Sequence, residues 1–300
     1  MKKILFFVTA SYILMNGISY SQTGQTGLAF LKHGVSGRAL GMGEAYSAIA
    51  TDPSATYYNP AALAISKNSQ ILLMHKEWIE DTKTEFIGAS IPADRFSFGF
   101  SLNTTGTADI PIRIQPGDAL STFSSHDVAI GFSAAYQIDT SINIGITGKY
   151  LYEKIFVEDA SGYAVDLGGL YRTPWNFDIA FVIANLGSMN KLQYETIKLP
   201  TTVRGGIAYQ LGVENIDSKL TFASDVVTYT RENKTHLHLG TELSYKNMLA
   251  LRFGFQTGYE AKNISAGFGI HYRIMQLDYA YVPFRYDLGS THTVSLGFEF

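Results

Sequence analysis

The sequence predicts an all-β chain closed as a transmembrane antiparallel β-barrel of about 14 strands. Three observations lead there. Apolar and polar residues alternate with a period of two over most of the chain, the connections alternate between tight and long, and only 16% of residues are charged. A soluble domain usually carries about 25%. Glycine (28), tyrosine (19) and phenylalanine (19) are abundant, and cysteine is absent.

The chain opens with Lys2-Lys3, an apolar run from Ile4 to Leu14, and small residues at Ser19-Tyr20-Ser21. This pattern predicts a secretory signal peptide over 1–21, cleaved before Gln22. The apolar run falls short of the roughly 17 to 25 residues a helix needs to span a bilayer. Losing two lysines and no acids takes the formal charge from −3 to −5. No basic block offers a surface to nucleic acid. Without cysteine, a lipid-anchored lipoprotein, disulfide staples and thiol chemistry are all excluded. Later in the chain no apolar run reaches helical membrane-spanning length, so an exported chain is soluble in the periplasm, secreted, or built into an outer membrane as a barrel, and the low charged fraction leans towards the barrel.

Residues 22–68 show no strand alternation. Within them, TDPSATYYNPAALA carries two Asx-Pro steps, Asp52-Pro53 and Asn59-Pro60. Each offers a side-chain acceptor at a helix N-cap and a proline at the first helical position, so short helical turns are expected at 53–57 and 60–64. Their alanines permit close packing against other backbone.

From Ser69 onward the period is two. The clearest case is the last segment, where Val294, Leu296, Phe298 and Phe300 share one face and Thr293, Ser295, Gly297 and Glu299 the other. Fourteen segments follow this rule, near 69–79, 84–91, 95–103, 127–138, 141–153, 162–172, 176–185, 202–211, 218–228, 234–245, 248–257, 263–274, 276–283 and 291–300. Most reach the 9 to 11 residues of a tilted membrane strand. The first two alternate poorly. Links after even-numbered strands are mostly tight. Those after odd-numbered strands include the long 104–126, 154–161, 186–201 and 284–290. Short turns on one rim and longer loops on the other is the construction of an outer-membrane barrel, and a soluble sandwich has no reason to obey it. Phe300, an aromatic inside the last strand, is expected to serve as the C-terminal signal read by the barrel assembly machinery. Tyrosines near strand ends suit interfacial girdles.

GRALGMGEAYSAIATDPSATYYNPAALA resembles the N-terminal segment of FadL-like outer-membrane proteins, and most closely the PorV/PorQ family. The matching positions are Arg38, Gly41, Met42, Gly43 and Glu44, then Asp52, Ala55, Tyr57, Asn59, Pro60, Ala61 and Leu63. The resemblance implies that 22–68 folds inside a 69–300 barrel as a hatch. It implies a non-enzymatic protein of the cell outer membrane of a Gram-negative-type bacterium, in contact with outer-membrane lipid. The expected role is that of a component or partner of type IX-like protein secretion, binding secreted proteins or secretion-complex subunits. The alternative is a FadL-like channel for hydrophobic small molecules such as long-chain fatty acids or hydrocarbons.

Candidate chemistry is sparse. Gly41-Met42-Gly43 lacks the third glycine and the strand-to-helix setting of a dinucleotide fingerprint. His236 and His238 share a strand face with Glu242, but a metal would need further ligands, and polar lumen lining is the better account. No catalytic grouping, metal or cofactor is expected. The lumen face is predicted to carry both signs, with Lys149, Arg204, Arg252 and Arg273 against Asp166, Asp178, Glu242 and Asp278. Mixed signs point to structural pairing rather than to an ion-selective ring. Few large apolar groups fall on that face, which tilts the expectation towards a plugged barrel with a protein partner. The apolar isoleucines of 104–126 are expected to act as a lid or partner contact.

Overall fold

The computed structural model describes residues 26–192, 195–213 and 217–300. The signal peptide lies outside the described residues. The barrel strands are β1 (Gln70–Glu77), β2 (Lys83–Ala93), β3 (Phe96–Ile112), β4 (Ser121–Gln137), β5 (Ile142–Ile155), β6 (Glu158–Arg172) and β7 (Phe177–Met189). A two-stranded ribbon, β8 (Lys191–Leu192) with β9 (Glu195–Thr196), interrupts the series. Then follow β10 (Thr202–Val213), β11 (Ser218–Tyr229), β12 (Lys234–Tyr245), β13 (Leu249–Gln256), β14 (Ile264–Tyr272), β15 (Met275–Pro283) and β16 (Ser290–Glu299). Fourteen strands form a closed antiparallel barrel in which each pairs with its neighbours in sequence, β7 with β10, and β1 with β16. The closing pair runs from Gln70 opposite Glu299 to Glu77 opposite His292. Closure leaves no strand edge to meet lipid.

The alternation becomes two faces. Along β13, Leu251, Phe253 and Phe255 are exposed outward, while Ala250, Arg252, Gly254 and Gln256 are buried inward. Tyr171, Trp175, Tyr245 and Tyr272 are exposed at the short-turn end, where amphipathic rings suit the headgroup layer. The poor alternation of β1 and β2 has a packing cause. Leu72, Met74 and Phe86 face inward onto an apolar cluster of the N-terminal segment, so both faces of the wall are apolar there.

Two expected loops are paired strand instead. Residues 104–126 continue β3 and β4 as a projecting hairpin with its tip at 113–120, and a register shift between Thr107 and Ile110 breaks the periodicity. Asp109, in the left-handed region at φ 54°, and Pro111 mark the irregular strand. Likewise the expected link 154–161 shrinks to Phe156 and Val157 between β5 and β6. β6 and β7 carry a second shift, between Val165 and Leu167, where Asn185 takes φ 59°. Beyond Ala184, β7 has no β10 partner. The wall is completed there by 197–201 and by Gly27, whose N–H donates to the Lys198 carbonyl at 3.1 Å.

Inside the barrel lies the segment ahead of β1. It makes a 3-10 turn (Ala29–Lys32), a helical turn (Gly37–Gly41), another (Ala55–Tyr58) and a second 3-10 turn (Pro60–Ile65). The apolar core sits between this segment and the wall. One cluster joins Val35, Met42, Tyr46, Ile49 and Tyr58 to inward Leu72, Phe86, Ala180 and Ala208. The other joins Leu28, Phe30 and Leu31 to Leu151, Ala164, Met189 and Leu199.

Candidate functional site

Two features occupy the bore: the seat of the N-terminal segment, and a cavity above it. The seat is made by glycine. A Cβ on Gly254 would lie 2.5 Å from the Gly43 Cα, one on Gly240 2.5 Å from the Met42 carbonyl oxygen, and one on Gly41 3.2 Å from the Gly267 Cα. Segment and wall therefore touch backbone to backbone, which only residues without a side chain permit. Gly43 has φ +62°, so glycine is required there for conformation as well. The Gln256 amide donates to the Gly43 carbonyl at 2.9 Å, and the Ser265 hydroxyl to that of Gly41 at 3.2 Å.

The Asn-Pro-Ala turn has a seat of the same kind on the opposite wall. Asn59 Oδ1 accepts from the Ala61 N–H at 3.1 Å, with Pro60 opening the 3-10 turn. Its Nδ2 donates to the Ser47 carbonyl at 3.0 Å and to that of Gly169 in β6 at 3.3 Å. A Cβ on Gly145 would meet the Pro60 oxygen at 2.7 Å, and one on Gly168 the Pro60 Cδ at 2.9 Å. Pro60 and Ala61 are buried. Asp52 Oδ1 accepts from the Ser54 N–H at 2.8 Å and from the Ser54 hydroxyl, while its Oδ2 accepts from the Tyr46 hydroxyl at 2.6 Å.

Charge holds the seat as well. Arg38 grips Glu242 through Nε (2.9 Å) and Nη2 (2.8 Å). Glu242 also accepts from Arg252 Nε at 2.6 Å, and Arg252 Nη1 reaches Asp278 at 2.6 Å. Two cations and two anions thus balance in a buried chain, which removes most of the cost of burying any one of them. Arg204 donates to the Glu44 carbonyl at 3.0 Å and to Asp225 at 3.1 Å. Asp225 accepts from the Ser47 N–H at 3.0 Å and the Tyr46 N–H at 3.2 Å, a role that one acid among the polar residues of β11 did not announce. Lys149 meets Asp166 at 2.5 Å and Asn185 at 2.9 Å, and the Asn185 N–H donates to Asp166 at 2.8 Å, so this trio pins the β6–β7 bulge.

One of the predicted lumen residues, Arg273, sits elsewhere, and another, Asp178, faces inward only at the mouth of the bore. Arg273 is exposed in the tight turn after β14, at φ 53°, with its guanidinium over the Tyr272 ring at 5.4 Å. The expectation extended the alternation past the end of the strand. Asp178 stands at the short-turn mouth, 3.8 Å from Arg172, where both line a polar vestibule of about 680 Å³. Phe300 is exposed, and its N–H donates to the Ser69 carbonyl at 2.9 Å, extending the closing pair.

The cavity lies at the long-loop rim and measures about 480 Å³. Its floor is the N-terminal segment, through His33, Gly34, Leu40 and Glu44. Rings line it in two runs. His33 meets Trp78 edge-on at 4.0 Å, with Phe284 a further 6.4 Å from Trp78. On the other run, His236 stacks on Tyr259 at 3.9 Å and approaches Tyr229 at 5.5 Å. His238 Nε2 is 3.0 Å from the Tyr259 hydroxyl. Among the described residues no group of three His, Cys, Asp or Glu side chains is placed to hold a metal. Glu44 pairs with Lys262 at 3.0 Å. Burial pushes its carboxyl up, but Lys262, His238 and Arg204 outweigh that and hold it well below the usual carboxylate range. Burial, with Lys76 and Lys262 adding, lowers His33 well below an ordinary histidine, so its ring is neutral at pH 7. Three of these rings, Trp78, Tyr259 and Phe284, come from three separate strand connections. The inward face alone therefore gave too polar a picture of the bore.

A closed antiparallel barrel with an apolar outer wall and a bore filled by its own N-terminal segment is an outer-membrane β-barrel protein. The chain belongs to the uncharacterised protein family UPF0164, whose model matches residues 10–162. No curated protein matches the sequence. Among solved structures, the CymD monoaromatic hydrocarbon channel aligns over 92% of this chain and 99% of its own, with 12% identity and a TM-score of 0.65. The Pseudomonas putida toluene transporter TodX aligns over 89% of this chain and 98% of its own, again with 12% identity and a TM-score of 0.65. A Pseudomonas aeruginosa FadL homologue aligns over 87% and 97%, with 12% identity and a TM-score of 0.54. At this identity the likeness is one of fold.

Proposed function

We propose that the protein is a non-enzymatic outer-membrane channel that admits small hydrophobic molecules from the long-loop side. The observation that carries this reading is the aromatic cavity at that rim, floored by the segment that fills the bore. Its volume of about 480 Å³ falls in the range of small-molecule sites, which run from about 300 to 1,000 Å³. The fold shared with hydrocarbon channels supports the reading. A molecule passing inward must displace the segment or leave sideways, and beyond Ala184 the wall has no β7–β10 pairing to break. The test is accumulation of radiolabelled toluene by cells expressing the protein. Uptake above that of cells without it, reduced by Trp78→Ala, is expected. Equal uptake by both cell types would sink the reading.

A PorV/PorQ-type role in secretion is the second reading, and one observation favours it. The β3–β4 and β5–β6 hairpin tips present Ile114 (81% exposed), Leu120 (67%) and Val157 (68%) beyond a filled bore, an apolar surface of the kind that marks protein contacts. Affinity isolation from membranes separates the two. Co-purifying secreted proteins or secretion-complex subunits support this role, and their absence alongside toluene uptake removes it.

A further inference from the structure

The charges around the rim cavity do not balance. Lys32, Lys76, Lys234 and Lys262 line it, against Glu44, Glu232 and Glu260. Glu44 is taken by Lys262 at 3.0 Å, and Glu232 by Lys32 at 2.7 Å and the Thr26 hydroxyl at 2.6 Å. Glu260 is exposed. Lys76 differs from the other three lysines because it is 3% exposed and its ammonium has, among the described residues, a single partner, the Gly34 carbonyl at 3.1 Å. An ammonium has three donors. Glu44 acts on it electrostatically but is held by Lys262, so Lys76 has no carboxylate in contact among the described residues, and natural sites resolve the cost of a buried cation by pairing. Beside it, the buried Nδ1 of His33 has no hydrogen-bond partner. Two polar groups with unused capacity therefore stand in a cavity lined also by Trp78, Tyr229, Tyr259 and Phe284.

We infer that the cavity takes an aromatic monocarboxylate, its carboxylate on Lys76 and His33 and its ring among Trp78, Phe284 and Tyr259. The inference rests on the reading of this cavity as a ligand site and adds the ligand's charge and shape. An alkyl chain would bury equal apolar area but would forgo the edge-to-face and offset stacking that rings offer one another. A neutral hydrocarbon would leave Lys76 without an anion in direct contact.

The chain has two tryptophans, Trp78 in the cavity and Trp175 exposed at the short-turn end. Trp175→Phe therefore makes Trp78 the sole reporter. The full chain carrying that substitution, in lipid nanodiscs, is titrated with sodium cinnamate, sodium decanoate and toluene while Trp78 fluorescence is followed. Cinnamate is expected to give a saturable change and to bind at least tenfold more tightly than decanoate. Adding Lys76→Met is expected to weaken cinnamate by about 10- to 100-fold, the worth of one charged hydrogen bond, and to leave toluene within about twofold. Lys76→Arg, which keeps the charge, is expected to restore most of the loss and so separates a lost anion partner from a damaged fold. No saturable change with cinnamate, equal affinity for decanoate, or indifference to Lys76→Met would each overturn the inference. If toluene alone binds, the channel reading survives and the carboxylate site does not. If cinnamate alone binds, uptake of neutral hydrocarbons is what fails.

Discussion

Gly254→Ala tests whether the segment is seated by backbone contact. The added methyl would run into the Gly43 backbone nitrogen and the Ser265 hydroxyl and lie 2.5 Å from the Gly43 Cα, whereas ordinary contact begins at 3.4 Å, so segment and wall must part by at least about 0.9 Å. The Ser265 hydroxyl can rotate away, but the Gly43 nitrogen and Cα are main chain and cannot. Overpacking of this kind costs about 1 to 3 kcal/mol. Replacing glycine in the unfolded chain returns about 0.4 to 1 kcal/mol, leaving a net loss of about 0.5 to 2 kcal/mol. Gly148 in β5 is the matched control, since a Cβ there meets nothing within 4 Å. Gly148→Ala should therefore be neutral or slightly stabilising. Urea unfolding of each variant refolded into vesicles measures the difference, and planar-bilayer conductance reports whether the bore has loosened. Gly254→Ala should show lower stability and more frequent current steps than Gly148→Ala. If the two variants match within about 0.5 kcal/mol and both stay silent, the contact does not hold the segment.

The ion-pair chain sets an order of severity. Glu242→Gln leaves Arg38 and Arg252 buried with one anion between them and should cost about 3 to 5 kcal/mol. Arg38→Met leaves Glu242 still paired with Arg252 and should cost less, so the reverse order in urea midpoints would refute the account. A third prediction concerns acid. A carboxyl whose folded pKa is depressed contributes stability that is fully present above its unfolded pKa, about 4.3, and is lost as pH falls through the folded value. The Glu44–Lys262 link should thus be unchanged from pH 7 to about 5 and weaken only below about 4. Protease nicking of the segment that rises already at pH 6 would contradict this.

Where one residue's neighbours along the chain decide its place, the sequence was legible. In β13 the alternation of Leu249 to Gln256 sorts every side chain correctly, because lipid outside and polar groups inside impose one rule throughout. In β1 the rule fails, since Leu72 and Met74 face an apolar segment rather than water. The turn at Asn59 was legible because capping is local, while the one expected at 53–57 begins two residues later, at Ala55, with Asp52 bonded to Ser54 ahead of it. Arg273 was misplaced because a period of two carries no mark of where a strand stops. The cavity was missed because Trp78, Tyr259 and Phe284 are far apart in sequence and meet only through closure of the barrel. Lys76 gave no signal of its own, as one lysine in a short strand reads like any other.

The stretch that floors the cavity, His33 to Glu44, is the same stretch whose Gly41 and Gly43 rest on the wall. Occupancy above and closure below are thus written into one short run of covalently joined residues, and neither can change without reporting to the other. The two equilibria are linked reciprocally. A ligand that prefers the floor in place locks the bore shut, and one that prefers it displaced opens the way, each by its difference in affinity for the two states.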